Sequence, residues 1–508
     1  MKRMKILAIS AAAVFCASLA AAQDMDFGDD FGSDFGSDFG DSSSSSSFSA
    51  GSFSVNGEAQ INFRAYVDDK DTIGLPIDEW NTWVDPKGKI GLNYSNDTVS
   101  ADIKFALSKD IITDYKSDII DELTLEATFG NFVVQAGKMK VVWGKGDKLH
   151  VLDNFNANDY KDFLIPDYID RRISEPMVRV LYNAPNDVGP FTSNRFELVW
   201  TPFITADRYA ASGRWVPNQV NELKGNLSTE AVKVIAAQGV KASDETEPQT
   251  AAREEATYAA MLSRSSSLAD NLYPDLYQLK YMQAGARFTT TTGSWDWGVS
   301  YYFGRDKRAS IDSAKMESYV GKYLKGTAGE DDKFIDYDFL QVFGVEAAKT
   351  FGAYNFRAEA AYNLTQDVAG DNPRIHNNSV AWVFGFDRDL PISELNFNLQ
   401  TQGKYIINHD EIEKNPLDTE SSTYETDNKL VLNISDNLLH GKLKPEISAI
   451  YGFEHFDLII MPKITWYVSD GLEFSANGMY MQSFIKNRSE FGDWHNNSFV
   501  QISAKYTF

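Results

Sequence analysis

The 508-residue chain holds one cysteine, Cys16, and 15 prolines, and after residue 22 it has no apolar run of 18 residues. One cysteine excludes a disulfide framework and any cysteine-based zinc or iron–sulfur site. Without a long apolar run there is no helix fit to span a membrane, and the mean hydropathy of −0.34 speaks against a bundle of such helices. Cations are also scarce: 48 Lys and Arg stand against 72 Asp and Glu, a formal net charge of −24. Phosphate backbones are bound by clustered Lys and Arg, so nucleic acid is excluded as a partner. Catalytic signatures are missing too. The six histidines (His150, His376, His409, His440, His455 and His495) include no His-x-x-x-His pair, so no helical zinc pair is available. There is no Gly-x-Ser-x-Gly elbow, and Gly144-Lys145-Gly146 lacks the Ser or Thr of a phosphate loop. The expectation is a protein with no enzymatic activity, no metal and no cofactor.

What is present is aromatic and glycine-rich: 33 Phe, 24 Tyr, 10 Trp and 34 Gly. Lys2, Arg3 and Lys5 precede an apolar, small-residue stretch from Ile6 to Leu19, and Ala20-Ala21-Ala22 reads as a cleavage site. Residues 1–22 are therefore expected to be an export signal. Phe15 stands where a lipoprotein site at Cys16 usually has a small residue. Residues 23–52 repeat Asp-Phe-Gly and then run through Ser42 to Ser47. Phe27, Phe31, Phe35 and Phe39 recur at helical spacing, but Gly28, Gly32, Gly36 and Gly40 recur with them and weaken a helix. This segment reads as a disordered acidic tail. Its aspartates could bind calcium weakly, but no Asp-x-Asp-x-Asp-Gly loop is present, and a solvated linker is the simpler reading.

From Phe53 onward the dominant signal is period two, the strand period. Val55, Gly57, Ala59, Ile61, Phe63 and Ala65 share one face, with Asn56, Glu58, Gln60, Asn62, Arg64 and Tyr66 on the other. Near the C-terminus Val500, Ile502, Ala504, Tyr506 and Phe508 alternate with Gln501, Ser503, Lys505 and Thr507. Alternation alone does not separate a soluble sandwich from a transmembrane barrel. Length and loop asymmetry do. The segments run near the ~9–11 residues that cross a bilayer at a tilt, against ~5–6 in globular sheets. Short turns, such as 96–97, 130–131, 292–293, 351–354 and 469–471, alternate with long loops at 68–88, 108–121, 143–175, 203–275, 305–336, 365–379, 407–428 and 485–497. That asymmetry is expected of outer-membrane barrels. The strands fall near 53–67, 89–95, 99–107, 122–129, 132–142, 176–183, 195–202, 277–289, 295–304, 338–350, 355–364, 379–387, 394–406, 429–436, 443–453, 457–468, 472–484 and 498–508. The expectation is an all-β transmembrane antiparallel β-barrel over 53–508 with about 18 strands, or 16 without the weakest segments.

An export signal, dyad strands and a C-terminal strand that ends in Phe508, with aromatics at alternate positions before it, resemble Gram-negative-type outer-membrane porins. The resemblance is one of architecture. It implies the outer membrane of a diderm bacterium, contact with outer-membrane lipid, and small hydrophilic solutes as cargo. It implies that Phe508 belongs to an assembly signal read by the barrel-assembly machinery, and a homo-oligomer is open. In many porins the third outer loop folds into the lumen and narrows it. Here that loop is 143–175, opening with Trp143-Gly144 after Gly137-Lys138. It carries Asp147, Asp153, Asp159, Asp162, Asp167, Asp170, Arg171 and Arg172 as candidate constriction residues. Arg171 and Arg172 could hold a carboxylate or phosphate bidentately, or pair with the neighbouring aspartates.

Parity places Arg64, Lys104, Arg179, Arg287, Arg357, Lys404, Lys463 and Lys505 on polar faces. Glu58, Asp102, Glu122, Glu126, Glu346, Glu359, Glu446 and Glu473 share those faces, so the field of the wall should largely cancel and leave a weak cation preference set by the constriction. Strand 132–142 has mixed parity, which leaves the faces of Gln135 and Lys138 open. Segment 203–275 is different: Glu230–Gln238 and Ala251–Ser263 are Ala-rich and read as helices in a cap, a plug or a partner surface. The functional expectation is a porin-like channel for passive diffusion of small hydrophilic solutes. The alternative is a surface adhesin or interaction barrel without specific transport.

Overall fold

The computed structural model describes residues 51–67, 82–147, 149–239, 248–421, 423–485 and 488–508. The export signal and residues 23–50 of the tail lie outside the described residues. Eighteen strands form one sheet. They are β1 Ser52–Tyr66, β2 Thr82–Ser95, β3 Val99–Leu107, β4 Ile120–Phe129, β5 Phe132–Met139, β6 Glu175–Asn183, β7 Phe191–Thr201, β8 Gln283–Thr292 and β9 Trp295–Arg305. The ring continues with β10 Phe339–Phe351, β11 Tyr354–Thr365, β12 Ser379–Asp389, β13 Asn396–Ile406, β14 Thr426–Ser435, β15 Leu443–Gly452, β16 Asp457–Ser469, β17 Leu472–Ser483 and β18 Phe499–Thr507. Each strand pairs antiparallel with its sequence neighbours. β18 returns to β1, from Tyr66↔Phe499 to Glu58↔Thr507. The last residue completes the seam: Gly57 N donates to Phe508 O at 3.0 Å and Phe508 N to Gly57 O at 2.9 Å.

The barrel is closed, so the sixteen-strand alternative falls. β2 begins at Thr82 rather than 89, although Asp85-Pro86-Lys87-Gly88 reads as a turn. β3 pairs with β2 only from Gly88 onward, so Pro86 lies where the ladder on that side has not begun and a residue without an N–H is tolerated. β8 begins at Gln283, later than 277, because Leu279–Tyr281 forms a single helical turn.

Face assignment is the reverse of a soluble protein. Outward Val345, Phe384, Ile447, Ile464 and Val500 are exposed, whereas their inward neighbours Glu346, Val383, Glu446, Thr465 and Gln501 are buried. Among the described residues no second sheet covers the apolar face. Exposed aromatics ring the short-turn rim: Phe129, Phe132, Phe191, Trp295, Phe351, Trp466, Phe474, Tyr506 and Phe508. A girdle of this kind suits a membrane–water interface. Strand β5 resolves its parity at the long-loop rim. Gln135 points inward and donates to Glu126 at 2.7 Å, while Lys138 pairs with outward Leu123 and donates to the carbonyl of Ile120 at 2.7 Å.

At one end all connections are short, down to two residues at 130–131, 293–294 and 352–353. At the other they are long, with 453–456 the exception. Connection 202–282 carries helices α1 Asn218–Gly239 and α2 Pro248–Ser265, both longer than the sequence indicated. Connection 306–338 adds α3 Met316–Lys325, which the sequence did not announce. The three helices share a core of Leu223, Leu227, Ile235, Met261, Met316, Val320, Leu324 and Phe334, separate from the barrel.

A charge placed in that core should unfold the cap and spare the barrel. Val320 is 0% exposed, so Val320→Asp should cost the cap about 4 kcal/mol or more. Limited proteolysis should then cut within 202–282 and 306–338 while the heat-modifiable gel mobility of the barrel persists. Loss of that mobility would show that barrel and cap are one cooperative unit.

Candidate pore constriction

Connection 140–174 lies inside the barrel. Two apolar clusters hold it there. In the first, Val141, Trp143, Leu152 and Phe155 pack on wall residues Met139, Met177, Val199, Tyr302, Leu340, Val342 and Ala361. In the second, Leu149, Tyr160, Phe163 and Leu164 meet Trp215 and Val216 of connection 202–282, Phe491 and Trp494 of connection 484–498, and wall residues Val383, Val431, Ile450, Ile459, Met479 and Met481. The inward wall from β12 to β17 is therefore partly apolar, which departs from a uniformly wet lumen. Phe163 is the centre of the second cluster. Its ring stacks on Trp215 at 5.0 Å and meets Trp494 at 4.9 Å and Phe491 at 5.6 Å. Its φ of +54° is a left-handed conformation that costs a side chain of this size about 1–2 kcal/mol. The surrounding rings offset that cost, since a fully buried Phe contributes about 1.5–3 kcal/mol.

Carboxylates of the wall accept from the loop. Glu359 on β11 accepts from Gly146 N at 2.5 Å, Val151 N at 2.8 Å and His150 Nδ1 at 3.2 Å. The loop wraps so closely that a Cβ on Gly144, whose φ is +116°, would stand 2.2 Å from Glu359 Oε1. A Cβ on Gly146 would stand 1.9 Å from Leu149 O. The Trp143-Gly144-Lys145-Gly146 run is thus a clamp around a buried carboxylate. On β7, Glu197 accepts from Trp143 Nε1 at 2.9 Å and from Arg179 Nε at 2.7 Å.

Aspartates of the loop run the other way, to wall donors. Asp162 receives Arg64 Nη1 and Nη2 at 2.7 and 2.9 Å, and Arg64 is 1% exposed beneath Trp83 and Phe499. Asp170 pairs with Lys89 at 2.6 Å, and the Lys89 ammonium holds its carboxyl below the ordinary value. Asp147 accepts from Asn398 and lies 3.7 Å from Arg357. Asp159 pairs with Lys161 at 3.2 Å, and burial outweighs that cation and raises its carboxyl. Asp167 precedes the helical turn Tyr168–Arg171 and its carbonyl accepts from Arg171 N. Of the two adjacent arginines, Arg172 pairs with Asp153 at 2.6 Å, and Arg171 is buried. Burial pushes Asp153 up even against Arg172 and a hydrogen bond from Tyr168.

Wall charges also pair among themselves. Arg287 meets Glu346 at 2.6 Å and Arg357 meets Asp387 at 2.5 Å. Lys104 meets Glu122 at 3.2 Å, and Lys404 lies 3.7 Å from Glu420 of connection 407–425. Asp427, His455 and Glu490 come within 4.8 Å of one another. The Lys429 ammonium sits among them, 3.0 Å from Asp427 and 3.1 Å from Glu490, and supplies the positive charge itself.

Beside the loop a cavity of about 150 Å³ remains, lined by Asn156 and Arg172 of the loop, Asp207, Asp306 to Arg308, His376 and Asn377, and wall residues from β10 to β14. Burial raises the Asp207 carboxyl to about 6. Asp306 is held well below the carboxylate range, because Arg308 outweighs burial. His376 is raised: burial and Arg308 oppose its charge, and Asp338 and Glu420 prevail. Of these residues, Arg308, His376 and Asp207 lie on aperiodic connections and give no signal in the sequence. Glu197 does give one, since period two through Phe196 and Leu198 turns it inward.

No protein-family profile and no curated protein matches the sequence. Among solved structures it is similar to a porin (TM-score 0.37, 9% identity, covering 90% of this chain and 100% of that one). It is also similar to a mutant of the Rh. blastica porin (TM-score 0.35, 10% identity, 90% and 100%). A third is a loop-deleted OmpT, an outer membrane protein of Vibrio cholerae (TM-score 0.34, 9% identity, 91% and 100%). The barrel itself is read from this chain's own strand pairing. In architecture the chain is a closed ring of 18 antiparallel strands with a loop folded inside.

Proposed function

We propose that the barrel is an outer-membrane channel through which small hydrophilic solutes diffuse, with connection 140–174 setting its narrowest section. One observation carries this reading, the division of the interior. Apolar packing and ion pairs fix the loop to the wall, while a cavity lined mainly by polar side chains remains beside it, along β10 to β14. The exposed apolar exterior and its aromatic rim support a lipid surround, and the shortness of the turns at one end supports a periplasmic position for that end. Reconstitution of the folded chain into planar bilayers tests it. Discrete conductance steps are expected, and a pure, folded sample that never conducts would overturn it.

The helical cap over the long-loop end favours a second reading, a surface-interaction barrel. Deleting 212–272 would then abolish partner binding and leave conductance absent before and after.

Two substitutions probe the constriction. Phe163→Ala removes the ring at the centre of the second cluster, at about 3–5 kcal/mol to the loop's packing. Single-channel conductance should rise above that of the parent, and an unchanged value would place the narrowest section elsewhere. Glu359→Gln exchanges a carboxylate that accepts three loop donors for an amide, at about 1.5–3 kcal/mol. Current noise and proteolysis within 140–174 should both increase while the barrel keeps its heat-modifiable mobility. A quiet channel and an uncut loop would show that the apolar clusters alone hold it.

A further inference from the structure

The cavity beside the constriction loop contains more hydrogen-bonding capacity than the protein uses. His376 is 1% exposed, and its backbone N and Nδ1 both engage Asp338 Oδ2, at 2.7 and 2.6 Å. A carboxylate only accepts, so Nδ1 carries the proton. Nε2 is buried with no partner among the described residues. Arg308 gives Nε and Nη2 to Asp306 at 3.0 and 2.5 Å, and its buried Nη1 has no partner among the described residues. Asn377 is 4% exposed. It gives its backbone N to Glu420 at 2.8 Å and Nδ2 to Ile407 O at 3.0 Å, and leaves Oδ1 without a partner among the described residues. Lys404 Nζ lies 3.7 Å from Glu420, beyond hydrogen-bond reach. All four residues line the same cavity.

Buried polar atoms are normally satisfied, and leaving them unsatisfied is costly. Here a guanidinium nitrogen and an imidazole nitrogen stand without a partner among the described residues, and the Lys404 ammonium lines the same cavity, the three coming from two long connections and one wall strand. Each cation already has an acid beside it, Asp306 on Arg308 and Asp338 on His376, while Glu420 accepts from Asn377 N, and these bonds leave Arg308 Nη1 and His376 Nε2 over. A volume of about 150 Å³ is well below that of drug-sized pockets, roughly 300–1,000 Å³. We propose that this cavity is a binding site for a small oxyanion, a carboxylate or a phosphate, held by Arg308 and Lys404 and bounded by His376 and Asn377. A guanidinium matches such an oxyanion in planar geometry, and Lys404 adds a point charge. The Asn377 oxygen accepts from a hydroxyl or a protonated oxygen of the same ligand. That the bound anion is a solute in transit rests on the channel reading. The binding itself does not.

The test is isothermal titration of the full folded chain in detergent micelles, in chloride buffer, with inorganic phosphate and separately with succinate. Saturable binding of at least one is expected. Arg308→Gln and, independently, His376→Gln should each weaken it at least tenfold, while Lys233→Gln on the helical cap leaves it unchanged. The second variant guards against misfolding of the first, which leaves Asp306 buried without its cation. Absence of saturable binding, or binding that both variants retain, would overturn the site. Conductance without binding overturns the site and leaves the channel reading intact. Binding without conductance supports the site and overturns the channel reading.

Discussion

A strand in hydrocarbon has to pair every backbone N–H and C=O, because no water is present to take their place and each unsatisfied group costs several kcal/mol. Closure of the sheet is therefore the constraint on which everything else here depends. It is met at β1, which pairs with β2 along one edge and with β18 along the other, and which fixes the final residue through the reciprocal Gly57–Phe508 pair. Once the ring is closed, period two becomes an inside and an outside. The apolar residues go out and the polar residues go in, and a mean hydropathy of −0.34 stops being at odds with a membrane protein.

Closure creates a second problem. A ring of 18 strands encloses more space than its own side chains fill. The chain fills it with connection 140–174, and an inverted core forms: Phe155, Leu149 and Leu164 are buried inside the ring, against its inward face. Electrostatics sets its orientation. Wall carboxylates Glu197 and Glu359 take donors from the loop, and loop aspartates Asp162 and Asp170 take cations from the wall. Each side supplies what the other lacks, so most of these charges are neutralised within the lumen. The formal charge of −24 is consequently a poor guide to the charge of the lumen.

The sequence made the barrel legible to the strand, because dyad alternation reports faces directly and the turns separate the segments. Its misses have physical causes. Pro86 disguised the start of β2, since a proline is tolerated where the neighbouring ladder has not begun. Helix α3 was hidden because Met316–Lys325 is short and lacks the alanine richness of α1 and α2. The site was less legible. Parity found Arg64, Arg179, Arg287, Arg357 and Lys404 because strands carry them. Arg308, His376 and Asp207 were invisible, since only tertiary folding of aperiodic connections brings them together. The inward apolar patch of Ile450, Ile459, Met479 and Met481 was also unread, because a lumen packed by its own loop breaks the assumption that inward means wet.

The central claim is that lipid lies outside the ring and polar space inside it. Cys16 is the only cysteine and lies outside the barrel strands, so with Cys16→Ser in place labels can be placed singly on the barrel. A fluorophore at Ile464→Cys, outward on β16, and one at Thr465→Cys, its inward neighbour, should respond oppositely to a quencher carried on lipid acyl chains. Strong quenching at 464 and little at 465 is the predicted result. Equal quenching at both positions, or none at either, would contradict the account.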